Sequence, residues 1–482
     1  MRIKLLIITT LCFFASTRTW AQNNTSSPYS IRAYGEMESF SSAFSKSLGG
    51  AINGIRSSRS VSFGNPASLG AIKIVNLDFG FRLDYSEVYS DVARKTSNNG
   101  NFNYFALSFP VYRKPIVKKD TTIKTAGNIT NKLYTEYDNI WCTSFGFSPY
   151  SSINAGYNKT IDTTYGQLYN AYSRIGGLNR VYLMNAVNLS KNFSLGLNVN
   201  YIFGQSKSYD GYFVLDTGVA RVIVTENNIS MRGFKFDFGF QGSSEIKLNV
   251  RVKEKVNQEK KDVKRTMPLR FVYGATLYNG ANLNYSIFRQ ILNRNRLSSG
   301  YPTDTVLYEE NNKGKTQLPL GYSAGFSVTF NKVWMLTADY RSEGWGNINK
   351  TVFSDSFTNS SQFNIGFAFR PDSDIPSQLG KKKRPFLEYR VGFRSLNTGY
   401  LFKDNQGNIN PLKEYGISFG IGIPKIIRQW DGKFTDEKSL INLTAEYIRR
   451  GSTMNGMVAE NLYRLTIGFT LTNIWFTQRK IY

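Results

Sequence analysis

The sequence predicts an all-β protein: a transmembrane antiparallel β-barrel of about 14 strands with an N-terminal plug inside the lumen. Three observations carry this expectation. Segment after segment alternates with period two, apolar on one face and small or polar on the other. The N-terminus has the form of an export signal. No later stretch approaches the ~20 consecutive apolar residues of a membrane helix.

The signal reading rests on Arg2 and Lys4, the apolar run Leu5 to Ala15, and Thr19-Trp20-Ala21 before Gln22. It sets residues 1–21 apart as a signal peptide. Its removal also takes away Cys12 and leaves Cys142 alone, so no disulfide within the chain is expected. The charge, +26 for the full sequence, stays strongly positive.

The alternation is clearest in three places. Phe193, Leu195, Leu197, Val199, Tyr201 and Phe203 form one face, with Ser194, Gly196, Asn198 and Asn200 opposite. Phe234 to Phe240 alternate with Lys235, Asp237 and Gly239. Tyr463 to Leu471 alternate with Arg464, Thr466, Gly468 and Thr470. A soluble sandwich would also alternate. Long, aromatic-ended apolar faces opposite charge and glycine suit lipid outside and a wet or plugged lumen inside. Closure also leaves no strand edge unpaired in lipid.

The strands expected in order are Leu77–Tyr85, Phe102–Val111, Trp141–Tyr157, Val181–Leu189, Phe193–Phe203, Met231–Phe240 and Leu269–Tyr278. Leu320–Phe330, Val333–Arg341, Gln362–Arg370, Phe386–Arg394, Tyr415–Ile423, Leu440–Tyr447 and Leu462–Thr472 follow. Ser190-Lys191-Asn192 and Asn331-Lys332 are tight turns after even-numbered strands. Connections after odd strands are mostly longer: 86–101, 158–180, 204–230, 279–319 and 342–361. That asymmetry puts the tight turns and both termini in the periplasm. Two even-strand connections, Tyr112 to Ile140 and Gln241 to Met267, are long and basic. The second continues its strand parity through Ile246, Leu248, Val250 and Val252 and reads as a hairpin prolonged beyond the membrane. Residues 22–76 hold Gly49-Gly50, Gly54, Phe40, Phe44 and Phe63, which fits a compact plug, and residues 77–482 form the barrel.

Composition excludes much chemistry. The chain has no histidine, which removes a Ser-His-Asp triad, an imidazole base and histidine metal ligands. One mature cysteine cannot build a thiolate zinc site. No catalytic, cofactor or metal residues are assigned, and no enzyme is expected. The basic balance suits a solvated surface or attraction to lipopolysaccharide phosphates and acidic partners. Export argues against nucleic acid.

By parity Asp78, Arg82, Asp84, Lys235, Asp237 and Arg390 face the lumen, where buried charges need partners. Asp78 and Asp84 are close enough in sequence to suggest acid-base chemistry, but pairing with neighbouring arginines is the simpler expectation. Pro149 falls inside the third strand, where it cannot donate to the ladder and should force a bulge or gap. Lys118, Lys119, Lys253, Lys260 and Lys261 mark the two basic connections as a docking surface.

Several motifs, in order along the chain, resemble the FadL-like outer-membrane transport proteins, specifically a branch from Bacteroidetes. They are Asn24-Thr25-Ser26-Ser27-Pro28-Tyr29-Ser30, Asn65-Pro66-Ala67, Ser148-Pro149-Tyr150-Ser151-Ser152, Gly176-Gly177-Leu178-Asn179-Arg180, and the ending Trp475-Phe476 with Gln478-Arg479-Lys480. The resemblance implies a fourteen-stranded barrel in a Gram-negative outer membrane, with Asn65, Pro66 and Ala67 in an N-terminal hatch. It also implies uptake of hydrophobic small molecules, leaving sideways into lipid through an opening at Pro149. The long basic connections are not typical of a simple transporter. They suggest the alternative of a non-transporting subunit of an outer-membrane protein assembly (BAM-type) or secretion complex, with outer-membrane or periplasmic protein partners.

Overall fold

The structure is a computed structural model that describes residues 27–473 except 92, 121–123, 126–127, 130–131, 165, 215–220, 257–258, 296–301, 349–350, 354, 372–386, 405, 429–433 and 454–456. The signal peptide expected over residues 1–21 and the ending at 475–480 lie outside the described residues.

Fourteen antiparallel strands close into one barrel. They are β1 (Val75–Tyr89), β2 (Arg94–Asp120), β3 (Lys132–Thr163), β4 (Gly166–Asn188), β5 (Phe193–Val214) and β6 (Arg221–Val256). β7 has two pieces, Glu259–Tyr278 and Ala281–Asn295, that lie one after the other along β6. β8 likewise joins Pro302–Leu318 and Gly321–Phe330 along β7. β9 (Trp334–Glu343), β10 (Ser360–Phe369), β11 (Glu388–Lys403), β12 (Ile409–Arg428), β13 (Phe434–Gly451) and β14 (Ala459–Asn473) complete the wall. β14 pairs with β1, from Ala459 opposite Tyr89 to Asn473 opposite Val75, and closes the sheet. Each of the fourteen segments expected from alternation lies on its own strand.

Closure follows from the two-faced strands. Leu195, Phe234, Phe236, Phe238, Phe367 and Leu465 are exposed on the outer wall, whereas Ser194, Asn198, Lys235, Asp237 and Thr466 are buried inside. Outside, Trp141, Phe193, Tyr273 and Trp334 ring the end with the tight turns. Tyr85, Tyr340, Tyr415, Tyr447 and Tyr463 ring the other end. Such aromatic girdles mark the two interfaces of a membrane barrel. The protein is an outer-membrane β-barrel that crosses with strands; among the described residues no helix is long and apolar enough to cross.

At Asn331 and Lys332, φ is 49° and 57°, the left-handed pair that a two-residue hairpin turn requires. The connections expected at 158–180, 204–230 and 279–319 are different: most of their length is strand. β3 and β4 pair from Trp141 opposite Val187 up to Thr163 opposite Gly166. These strands run past the girdle, where polar residues occur on both faces and alternation no longer marks them. At the turn end the Tyr112–Ile140 and Gln241–Met267 connections are strand ladders too: Lys119 opposite Leu133, and Lys253 opposite Asp262.

Candidate functional site

Ser27 to Lys73 fold back through the barrel and bond to its inner wall. The chain begins with a short 3-10 turn (Pro28–Ile31) and bends at Ala33 and Gly35, both with positive φ. A one-turn helix, Ala43–Lys46, is capped by Ser42, whose Oγ accepts from Ser45 N. A second 3-10 turn, Pro66–Ala71, starts at Asn65, whose side chain accepts from Ala67 N. The segment carries its own apolar core: Phe40, Phe63, Leu69 and Ile72 pack with Tyr104, Tyr182 and Met184 of the wall.

Polar contacts fix this plug around the ring. Asp339 on β9 accepts from the backbone N–H groups of Ile52 (2.5 Å) and Asn53 (2.8 Å). Gly49 N donates to Ser418 Oγ on β12 at 3.2 Å, and Thr444 on β13 donates to Ala43 O at 2.8 Å. Lys46 Nζ donates to Asn103 on β2 at 3.1 Å, and burial pushes its pKa down to about 8. Asn65 donates to Phe240 O on β6, and Ser194 on β5 donates to Ala67 O at 2.8 Å. Glycines let the backbones meet. A Cβ on Gly196 would lie 2.4 Å from Ala67 N, and one on Gly239 2.4 Å from Asn65 Oδ1. Asn65, Pro66 and Ala67 are thus buried against the inner faces of β5 and β6.

The lumen charges pair as clusters. Lys235 meets Asp237 at 2.9 Å, and Asp237 also accepts from Asn198 and Asn200. Arg390, fully buried, meets Glu388 at 2.7 Å and lies 4.3 Å from the centre of the Phe44 ring. Asp84 is held by Arg464 (2.9 Å) and Arg82 (3.1 Å), whereas Asp78 accepts from Thr470 at 3.2 Å. The two carboxylates therefore sit in separate environments rather than as an acid-base pair. Arg82 reaches Glu38 of the plug at 2.6 Å. Arg450 gathers Glu36 of the plug (2.8 Å), Glu414 (2.7 Å) and Glu460 (3.3 Å).

Arg450, Glu414 and Glu460 had not been singled out from sequence. Each lies just beyond the strand ends drawn from apolar alternation. Carrying the parity two or three residues further would have turned all three inward.

Pro149 sits at a break in the wall. β2 and β3 pair from Asp120 opposite Lys132 only as far as Phe105 opposite Phe147. Past Pro149 the β3–β4 register shifts by one residue. The β3 edge left by β2 is taken by the plug: Glu36 and Met37 pair with Ser152 and Ser151, and Glu38 N donates to Tyr150 O at 3.0 Å.

Among the described residues, two spaces beside the plug stand out. A cavity of about 140 Å³ lies beside Glu36 to Phe40, lined by Lys235, Asp237, Arg341, Glu343, Arg394, Glu414, Arg450 and Arg464. A vestibule of about 1090 Å³ opens at the girdle end opposite the tight turns, with Tyr157, Tyr172, Ile229, Phe353 and Phe402 in its lining. Lys118, Lys119, Lys253, Lys260 and Lys261, expected from sequence to mark a docking surface, all lie on strand backbone at the turn end; their side chains are outside the described residues.

Comparison with solved structures supports the fold. A deletion mutant (deltaS2) of the TodX monoaromatic hydrocarbon channel aligns with TM-score 0.51 at 11% identity, covering 90% of this chain and 99% of that one. The toluene transporter TodX of Pseudomonas putida gives 0.49 at 11% identity, covering 92% and 99%. A Pseudomonas aeruginosa FadL homologue gives 0.48 at 11% identity, covering 90% and 99%. The first of these, at this low identity, establishes a shared barrel architecture and nothing about cargo. No curated protein matches by sequence. The family profile that matches is described as BamG, over residues 2–117 and 137–482, rather than as FadL. With nearly the whole sequence matched, the chain belongs to the BamG family.

Proposed function

We propose that this protein is a non-conducting barrel subunit of a BAM-type outer-membrane protein assembly in a Gram-negative bacterium, docked through its turn-end hairpins. The observation that carries the reading is the filled lumen. The plug is bonded to strands around the barrel, and the cavity beside it is only about 140 Å³, with Lys235, Asp237, Glu343 and Arg450 among its lining residues. Small-molecule pockets are usually about 300–1,000 Å³, so the space left at the depth of the plug is small for a passage. The BamG family designation shares the name of the assembly class. Two long hairpins at the end assigned to the periplasm have no use in a simple pore. The role is scaffolding rather than enzymatic.

A second reading, uptake of hydrophobic small molecules, is favoured by the aromatic vestibule and by the break between β2 and β3 at Pro149. It requires Glu36–Met37 to leave the β3 edge. Mild-detergent purification of the tagged mature protein separates the two. Stoichiometric outer-membrane proteins and no ion conductance in a planar bilayer are expected for the subunit. A protein that purifies alone with bound lipid-like molecules would overturn that reading in favour of uptake.

A further inference from the structure

At the turn end, β3 and β6 outrun the two strands between them. β4 ends at Asn188 and β5 begins at Phe193, joined by Ser190-Lys191-Asn192. β3 pairs with β4 only from Trp141 upward, and β6 pairs with β5 only down to Gly242. Yet β3 starts at Lys132, supported on its far side by β2, and β6 runs on to Val256, supported on its far side by β7. Among the described residues two β-edges, 132–138 and 244–256, therefore face each other across the short turn, below the 2.7 Å bond from Asn188 Nδ2 to Asn139 O. β3 and β6 are three strand spacings apart, about 14 Å at roughly 4.8 Å each. The gap is two strands wide. Ser243 N donates to Asn192 O at 2.9 Å and closes its top.

Such edges do not suit a solvated end state. A two-stranded ribbon is marginal in water, and a long unpaired edge is a template for another strand. Ile246 and Leu248 are 52% and 37% exposed beyond the Phe193 and Tyr273 girdle, where lipid no longer covers them. Lys247 and Arg251, on the opposite face of the same strand, are exposed as well.

We infer that this slot receives a β-hairpin from a partner protein, one strand pairing with the β3 edge and the other with the β6 edge. The hairpin is apolar on the side that continues the barrel's outer wall, against Ile246 and Leu248. It is acidic on the other, against Lys247 and Arg251. A single added strand would satisfy one edge and leave the other open; a hairpin continues β4 and β5 and completes the sheet. This inference rests on the docking reading.

The test places a photo-reactive residue at Thr135, at Lys247 and, as a lipid-facing control, at Leu336 in the full protein in its native membrane. The slot predicts crosslinks from Thr135 and Lys247 to two adjacent antiparallel segments of one protein, with none from Leu336. In parallel, Lys247→Pro and Leu248→Pro are compared. Neighbouring N–H groups point to opposite edges, so one variant removes a donor toward the slot and the other a donor toward β7. Loss of the Thr135 crosslink together with the β6 contact in the slot-side variant, with the barrel still folded, supports hairpin insertion. Crosslinks to a partner through other surfaces only would overturn the slot while the docking reading stands. Crosslinks to a second copy, or to residues 474–482 of this chain, would overturn the partner hairpin. No protein crosslink at any position would overturn both.

Discussion

Gly392→Ala tests whether the plug is pressed against the wall. A Cβ on Gly392 would lie 2.0 Å from Gly49 N and 2.4 Å from the Leu48 carbonyl carbon. Both are backbone atoms, so no side chain can rotate away, and the plug must retreat by more than an ångström. Overpacking of this kind costs about 1–3 kcal/mol. The retreat also stretches the 3.2 Å bond from Gly49 N to Ser418 Oγ, worth about 0.5–1.5 kcal/mol. Against this, alanine restricts the unfolded chain and returns about 0.4–1 kcal/mol. The expected net loss is roughly 1–3 kcal/mol. Gly416→Ala is the control: its Cβ would meet nothing nearer than 3.5 Å, so it should change stability by less than about 0.5 kcal/mol. Urea titration in detergent reads the difference, and limited proteolysis reads release of residues near Leu48. Equal behaviour of the two variants would refute the packed plug.

Three further outcomes are expected. Phe236→Arg puts a cation on the outer wall between Phe234 and Phe238 and should lower folding into vesicles by about 2–4 kcal/mol, roughly 30- to 700-fold in the folded ratio; an unchanged yield would mean the faces are reversed. Arg450→Met strips Glu36, Glu414 and Glu460 of their shared cation, so a loss of about 3–5 kcal/mol and faster proteolysis near Glu36 are expected by urea titration and digestion. Lys332→Gly relieves a left-handed φ of 57° and should raise stability by up to about 1 kcal/mol in the same titration; destabilisation would contradict the turn assignment.

The membrane-embedded wall was legible because lipid on one side and a packed lumen on the other force strict alternation, as in Phe234 to Phe240. Beyond the girdles that contrast vanishes, so the extensions of β3, β4 and β7 read as connections. The lumen positions of Asp78, Arg82, Asp84, Lys235, Asp237 and Arg390 followed from parity, but their partners did not. Glu36 and Glu38 come from an irregular segment whose path no periodicity encodes. Pro149 announced a disturbance of β3, as a missing donor must, but could not announce that Glu36–Met37 would occupy the edge. The slot between β3 and β6 is likewise a property of register, visible only when strand ends can be compared across the sheet.

The proposed role of this barrel is that of a filled subunit that acts by docking. Native mass spectrometry of the protein extracted in mild detergent tests it most directly, beside a variant whose 243–268 hairpin is cut to a short turn. A fixed-ratio complex with other outer-membrane or periplasmic proteins is expected, which the shortened variant loses while remaining folded. A lone barrel carrying hydrophobic small molecules, the same with or without the hairpin, would contradict it.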